Sequence, residues 1–504
     1  MDDRAASPRH HALRGARLLT TATLVAKVVG FAGQLALARL LEPGDFGLYV
    51  FAVGIATLGV RFASFDARRD VLRCSAAEAA RRARAYVAVQ TCLGLGVALA
   101  LACFGADLAH FASSYLSSTR DQASAAAPLL VGLAFLPFFE SLRIPLVALL
   151  EREQRYARLS ALEVGGSVLQ VLSWIVFATL GFGAAALVIG AYAATLLRSV
   201  IAFSVLRTVL GDARATTADY RSVRSFGTQL WLCSLAMAAF WSGKDVLAGS
   251  LLGMTQAGYF GMAFEIPRAV MQVAEGWSRV ALSLLGRGDD DAQRRVVSIS
   301  LRAPAFLLGP FLILATLHGE LVVRCAFGER WLPCVPALRA FAILATLEAV
   351  FRVWSDLAAL RGRPELPFRA SFATALLLPV FAVNASDLGQ VALCSLLAWL
   401  APLPFALAWG RRQLGMSLVA PLRPAAVALL LALVSGAGLA ALPWQGGFFE
   451  ALSAMIEVAV FIVAVLVQDR DLAQIVRDGL GRRRVRAAPT FVPLLLVAFC
   501  FATH

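Results

Sequence analysis

Lysine is almost missing from this chain: it occurs twice, at Lys27 and Lys244, among 46 basic residues in 504. Charge of either sign is scarce as well, since 15% of residues carry it where a soluble chain carries about 25%. With 59% hydrophobic residues and a mean hydropathy of +0.74, that shortage excludes an ordinary soluble protein. Short alternating strands are lacking, which excludes a membrane β-barrel. The longest interruptions of the apolar pattern, around Arg68–Arg84 and Asp107–Ala125, are too short for a sizeable soluble domain. A membrane glycan polymerase or ligase, which needs a large catalytic loop, is therefore disfavoured. The eight cysteines lack metal-ligand spacing, and Gly243-Lys244, the one Gly-Lys pair, sits in an apolar helix where no phosphate-cradling loop forms. With no Ser/His/Asp arrangement either, the expectation is no enzyme, no ATP hydrolysis and no cofactor. Cys325 and Cys334 share an outer loop, and a disulfide between them is left open.

What is present is a series of long apolar runs. Lipid offers backbone groups no partners, so each run of about 20 residues reads as a transmembrane helix. Fourteen runs emerge, at 16–38, 46–63, 85–105, 128–150, 159–180, 184–206, 226–252, 257–285, 298–317, 333–360, 366–384, 388–409, 424–442 and 448–467. The predicted fold is all-α, a polytopic membrane protein. The start, MDDRAASPRHHALRGAR, has no signal-peptide cleavage site, so the first run is expected to remain as an anchor. The final piece, FVPLLLVAFCFA, is too short to cross and reads as interfacial or packed on the bundle.

A net charge of +14 and a pI near 10.1 would suit nucleic acid, but the arginines alternate with the spans instead of forming a basic face. One side of the bilayer receives Arg4 to Arg17, the Arg68–Arg84 cluster, Arg152 to Arg158, Arg207 to Arg224, Arg287 to Arg302, Arg361 to Arg369, Arg411 to Arg423 and the tail from Arg470 to Arg486. The other side receives Arg39, Arg120, Arg324 and Arg330. By the positive-inside rule both termini are expected in the cytoplasm.

One turn is written twice. LARLLEPGDFGLYVFA, residues 37–52, returns in looser form as AGSLLGMTQAGYFGMA, residues 248–263, at a constant offset of 211: Leu40 with Leu251, Gly47 with Gly258, Ala52 with Ala263. In the first copy Pro43-Gly44 supplies the turn, Asp45 is expected to cap the following helix, and Gly47 permits a close backbone approach. In the second, Gly253 and Thr255 take the turn and cap roles. The copies open two blocks of six spans that share one orientation. Parallel repeats predict two lobes related by an axis along the membrane normal, with a site between them at mid-depth. The expected domains are 1–211, 212–415, and 416–504, the last holding two extra spans and a basic tail.

The joint from Ala36 to Tyr49 resembles the signature of the polysaccharide transporter family, the Wzx-type flippases of O-antigen and exopolysaccharide units, within the multidrug/oligosaccharidyl-lipid/polysaccharide exporter superfamily. Asp245 to Gly258 and the stretch Phe327-Gly328-Glu329-Arg330-Trp331 with Pro336 and Leu338 are similar to the same family. The resemblance implies a bacterial inner-membrane protein that moves undecaprenyl-diphosphate-linked oligosaccharide between leaflets for lipopolysaccharide or exopolysaccharide synthesis, with a cationic cavity for the diphosphate. It also implies the bilayer, and other glycan-assembly membrane proteins, as partners. A drug or metabolite antiporter of the same superfamily is the alternative, and it would need acidic sites.

A charge at the centre of a span costs about 2.5–3.5 kcal/mol on insertion scales, so it persists where paired, snorkelling or wet. Helical spacing pairs Glu140 with Arg143, Glu265 with Arg268, and Arg352 with both Glu348 and Asp356. Arg279 and Arg339 lie near span ends and snorkel. Lys27 and Lys244 remain, with Arg61 and Arg198 as intermediate cases and Arg268 kept because Pro267 interrupts its helix. These five are the candidate substrate-binding cations. Lys244 is read as lacking a partner, since adjacent residues on a helix diverge. Asp245, Glu265 and Glu275 are candidates for carrying a coupling proton. No metal site is predicted.

Overall fold

The computed structural model describes residues 8–65, 67–114, 120–204, 214–285, 290–360, 363, 365–414, 419–440 and 447–469. The tail from residue 470, with its basic cluster and its short apolar end, lies outside them.

Apolar runs of this length satisfy their own backbone only as helices, and helices are what form. In chain order they are α1 (Pro8–Leu40), α2 (Pro43–Ser64), α3 (Ala67–Arg73), α4 (Ala76–Ser114), α5 (Arg120–Gly132), α6 (Leu136–Arg152), α7 (Tyr156–Thr179), α8 (Ala184–Ser204) and α9 (Thr217–Leu252). There follow α10 (Met254–Leu285), α11 (Asp290–Leu317), α12 (Gly319–Ala326), α13 (Val335–Leu360), α14 (Glu365–Ala382), α15 (Leu388–Leu400), α16 (Leu403–Leu414), α17 (Arg423–Ala440) and α18 (Gly447–Gln468). Among the described residues there is no strand. Among the described residues twelve segments are long and apolar enough to cross a membrane. They match twelve of the fourteen expected runs; the other two, 226–252 and 257–285, lie on α9 and α10, which are 36 and 32 residues long.

Two expected spans are interrupted. The run at 128–150 breaks at Leu133–Phe135 ahead of Pro137, and the run at 388–409 breaks at Ala401-Pro402. Proline has no amide to donate, so it leaves a gap in the helical hydrogen-bond ladder. At the first break the freed amide of Phe135 donates to the Tyr192 hydroxyl on α8 at 3.2 Å, which spares it an unpaired donor in lipid.

The described residues divide into two compact units, 1–261 and 262–504. In the first, α1 packs on α7, α7 on α8, and α2 against α6 and α9. Its cores are rich in alanine: Ala52, Ala56, Ala109 and Ala126 surround Phe51, Leu130 and Leu133, and Ala79, Ala83 and Ala148 surround Tyr86. Small side chains let helices approach closely where lipid gives no hydrophobic drive to associate. In the second unit α11 packs on α13, α13 on α15, and the hairpin of α17 and α18 covers α11 through Phe306, Ile313, Ala428, Ala432 and Phe461.

The two copies of the repeated joint meet each other. A Cβ placed on Gly47 would fall 1.6 Å from the carbonyl oxygen of Met254, and one placed on Gly258 would fall 1.9 Å from that of Pro43. The contact is reciprocal, with backbone against backbone at residues 211 apart. The details of capping differ from expectation. Pro43 is already the first helical residue and Glu42 precedes it in extended backbone, so Asp45 sits inside the first turn and does not cap α2. Its carboxylate lies instead beside Gly183, at the start of α8. At the second joint Gly253, at φ +90°, makes the turn between α9 and α10, and Thr255 likewise falls inside a helix that starts at Met254.

Candidate cationic site at membrane depth

Helical spacing pairs charges within a helix as expected. Arg143 donates to Glu140 at 2.6 Å, Arg352 to Glu348 at 2.9 Å, and the Arg268 guanidinium reaches both oxygens of Glu265. The side chains of Asp356, Glu275 and Arg279 lie outside what the structure describes. Arg339 lies beside Gly319.

The candidate residues fall into different surroundings. Lys27 is half-buried on α1, two turns before Gly33 packs on Val171 of α7. Arg61 is exposed in the last turn of α2. Arg268 belongs to the second unit and is largely exposed beside Glu265. Lys244 is the most deeply placed: its side chain is 0% exposed, its ammonium lies 2.5 Å from Asp245 Oδ1, and it sits 5.2 Å from the centre of the Phe260 ring. The expectation that Asp245 is no partner is therefore corrected. Divergence of neighbouring Cβ atoms does not prevent pairing when one chain has four methylenes with which to turn back, and burial of an ammonium demands a counter-charge.

Arg198 has partners, and they come from other helices. It extends from α8 across Gly166 of α7, whose missing side chain makes room: a Cβ there would fall 2.2 Å from Arg198 Nε. Its Nη2 reaches Ser167 Oγ at 3.4 Å, and Arg143, Glu140 and Glu163 are within electrostatic reach. Glu140 accepts a further hydrogen bond from Thr195 at 2.7 Å. Three helices thus gather two arginines, two glutamates and two hydroxyls inside the first unit. The Nε groups of both Arg143 and Arg198 are buried without a hydrogen-bond partner among the described residues. A guanidinium holds five donors in a fixed fork, so these two keep donor capacity that no described residue takes up.

The profile of the family described as polysaccharide biosynthesis protein matches residues 36–336, more than half of the chain. The chain belongs to that family. No curated protein matches the sequence of this polysaccharide biosynthesis family member. Solved structures share its fold. The lipid II flippase MurJ in an inward closed conformation aligns with a TM-score of 0.70 at 14% identity, over 90% of this chain and 99% of that one. A multidrug resistance MATE family transporter of the MOP superfamily, inward-facing, aligns at 0.56 with 19% identity over 80% and 98% of the two chains. An outward-facing MATE structure aligns at 0.51 with 18% identity over the same shares. These likenesses show that the chain has the fold of MurJ and of the MATE transporters.

Two buried charge sites in this family member escaped the sequence reading. Ahead of the membrane part of α9, Arg82 Nη1 donates to Asp70 at 2.9 Å and also to the Ser222 hydroxyl, while its Nε faces Asp219 at 3.6 Å. Burial pushes the Asp219 carboxyl up. Hydrogen bonds from the Thr216 hydroxyl and amide, with the nearby Arg81 and Arg82 charges, outweigh burial and hold it below the usual carboxylate range. The second site pairs His318 with Glu457 in the second unit. A carboxylate in the middle of the apolar run 448–467, Glu457, was the available signal for it. Cys325 and Cys334 are both free thiols.

Proposed function

We propose that this protein is a flippase that carries an undecaprenyl-diphosphate-linked oligosaccharide from the cytoplasmic to the periplasmic leaflet of a bacterial inner membrane, for lipopolysaccharide or exopolysaccharide assembly. The observation that carries the reading is the buried Arg143 and Arg198 pair, with donors to spare at membrane depth, in a chain of the polysaccharide biosynthesis family. A diphosphate is matched by guanidinium forks that donate to its oxygens in bidentate fashion. Lys27 and Arg61 are further cations proposed to meet it; Lys244 and Arg268 pair with Asp245 and Glu265. Similarity of fold to a lipid II flippase supports the same class of cargo. The protein is read as a transporter and not as an enzyme, working by alternating access of two lobes. Asp245 and Glu265 are candidates for coupling, and both termini are read as cytoplasmic.

The test is an in-vivo one. Deletion should leave the lipid-linked unit facing the cytoplasm and abolish surface glycan, and Arg198→Ala and Lys27→Ala should each lower export by about tenfold or more at unchanged protein level, the size of one lost charge-assisted contact. Normal surface glycan in the deletion strain, with altered drug tolerance, would replace this reading by the antiporter.

A further inference from the structure

α18 is otherwise apolar through its middle, yet it places one carboxylate there. Glu457 lies about 15 Å along the helix from Gly447 and is 1% exposed. Its Oε2 is 3.0 Å from Nε2 of His318, which caps the corner between α11 and α12 and is 8% exposed. Ser453, one turn earlier on α18, donates to the other carboxylate oxygen at 2.8 Å. From the facing helix α17, Gly436 comes so close that a Cβ there would fall 2.7 Å from Glu457 Oε1.

An imidazole nitrogen and a carboxylate oxygen both accept when bare, so a 3.0 Å approach requires a proton between them. Other charges on the packed elements have their own places. Arg302 on α11 bonds Asp469 at 3.2 Å, Glu320 and Arg324 on α12 face each other at 3.7 Å and are exposed, and Arg339 on α13 lies beside Gly319. Arg423 stands at the far end of α17, and Glu450 one further turn back along α18 from Ser453.

We propose that His318 and Glu457 form a proton-binding latch that fastens the α17 and α18 hairpin to the α11–α12 corner and releases it on taking up a further proton. With one proton shared, the pair is an internally compensated contact between buried groups. A second proton, drawn from solvent onto the carboxylate, leaves a buried imidazolium without its counter-charge, a costly state that separation of the helices relieves. The hairpin is thereby tied to proton availability, whatever cargo the protein carries.

The experiment is amide hydrogen exchange on the full chain in lipid nanodiscs, at about pH 4 and about pH 7, so that the lower value reaches the range in which a carboxylate takes up its proton. Rates are normalised to intrinsic exchange chemistry and followed in peptides covering 423–440 and 447–468. Opening of these peptides should be favoured about fivefold or more at the lower pH, a usual size for a linked equilibrium, while peptides of α13 stay unchanged. His318→Gln and Glu457→Gln should each remove the difference, and Ser453→Ala should keep it. Equal protection at the two pH values in the unaltered protein overturns the latch, and that measurement needs no variant to fold. So does a His318→Gln protein that retains the full difference.

Discussion

At the scale of single residues, what decides a buried charge here is the reach of its neighbours' side chains. Lys244 is 0% exposed and is held by Asp245 and the Phe260 ring. Removing one partner leaves the other charge uncompensated, whereas removing both leaves nothing to compensate. Asp245→Asn should therefore lower the stability of the purified protein by about 3–5 kcal/mol, and Lys244→Met by a similar or smaller amount. The double variant should cost clearly less than the sum of the two. Simple additivity in thermal unfolding would mean that the two groups do not interact. The sequence reading found the on-helix pairs because an offset of three or four residues is a property of any helix. It missed the partners of Arg198 for the converse reason. Ser167 and Glu140 lie 31 and 58 positions away along the chain, and nothing local marks them as neighbours.

At the scale of elements, the repeated joint takes its meaning from where its two copies end up. Offset and glycine placement were legible as a duplication, and Gly47 was legible as a point of close approach. That Gly258 is what approaches it was not, because the contact joins the first turns of α2 and α10 across two hundred residues. Gly47→Val should force the helices apart and lower stability by about 3 kcal/mol, the upper range for overpacking. Gly258→Val should do the same, with a double variant costing less than the sum because one crossing is disrupted only once. Gly96→Ala on α4, with nothing within 4 Å of the added carbon, is the control and should be neutral or slightly stabilising. Thermal midpoints of the purified proteins decide. An unchanged midpoint for Gly47→Val would remove the crossing from the fold.

At the scale of the whole molecule, membrane character, helical class and orientation all rest on quantities summed along the chain. Hydropathy over some twenty residues and arginine bias between alternate loops are read without knowing which helix touches which. A reporter fused after residue 469 tests the second of these: a fluorescent protein should mature there and alkaline phosphatase should stay inactive. An active phosphatase would invert the orientation. Hydropathy is also why twelve of the expected spans stand out by composition alone, while α9 and α10 carry their polar cargo of Lys244, Asp245, Glu265 and Arg268 within long helices. The linear order of the chain thus determined solvent, helix class, span order, the expected side of each loop and the existence of a repeat, since each depends on neighbours within a few turns. Only the tertiary structure decided which charges are answered, that Gly47 meets Gly258, and that His318 finds Glu457. Those contacts depend on side chains a few ångströms long meeting across separate helices, and local spacing carries no record of that.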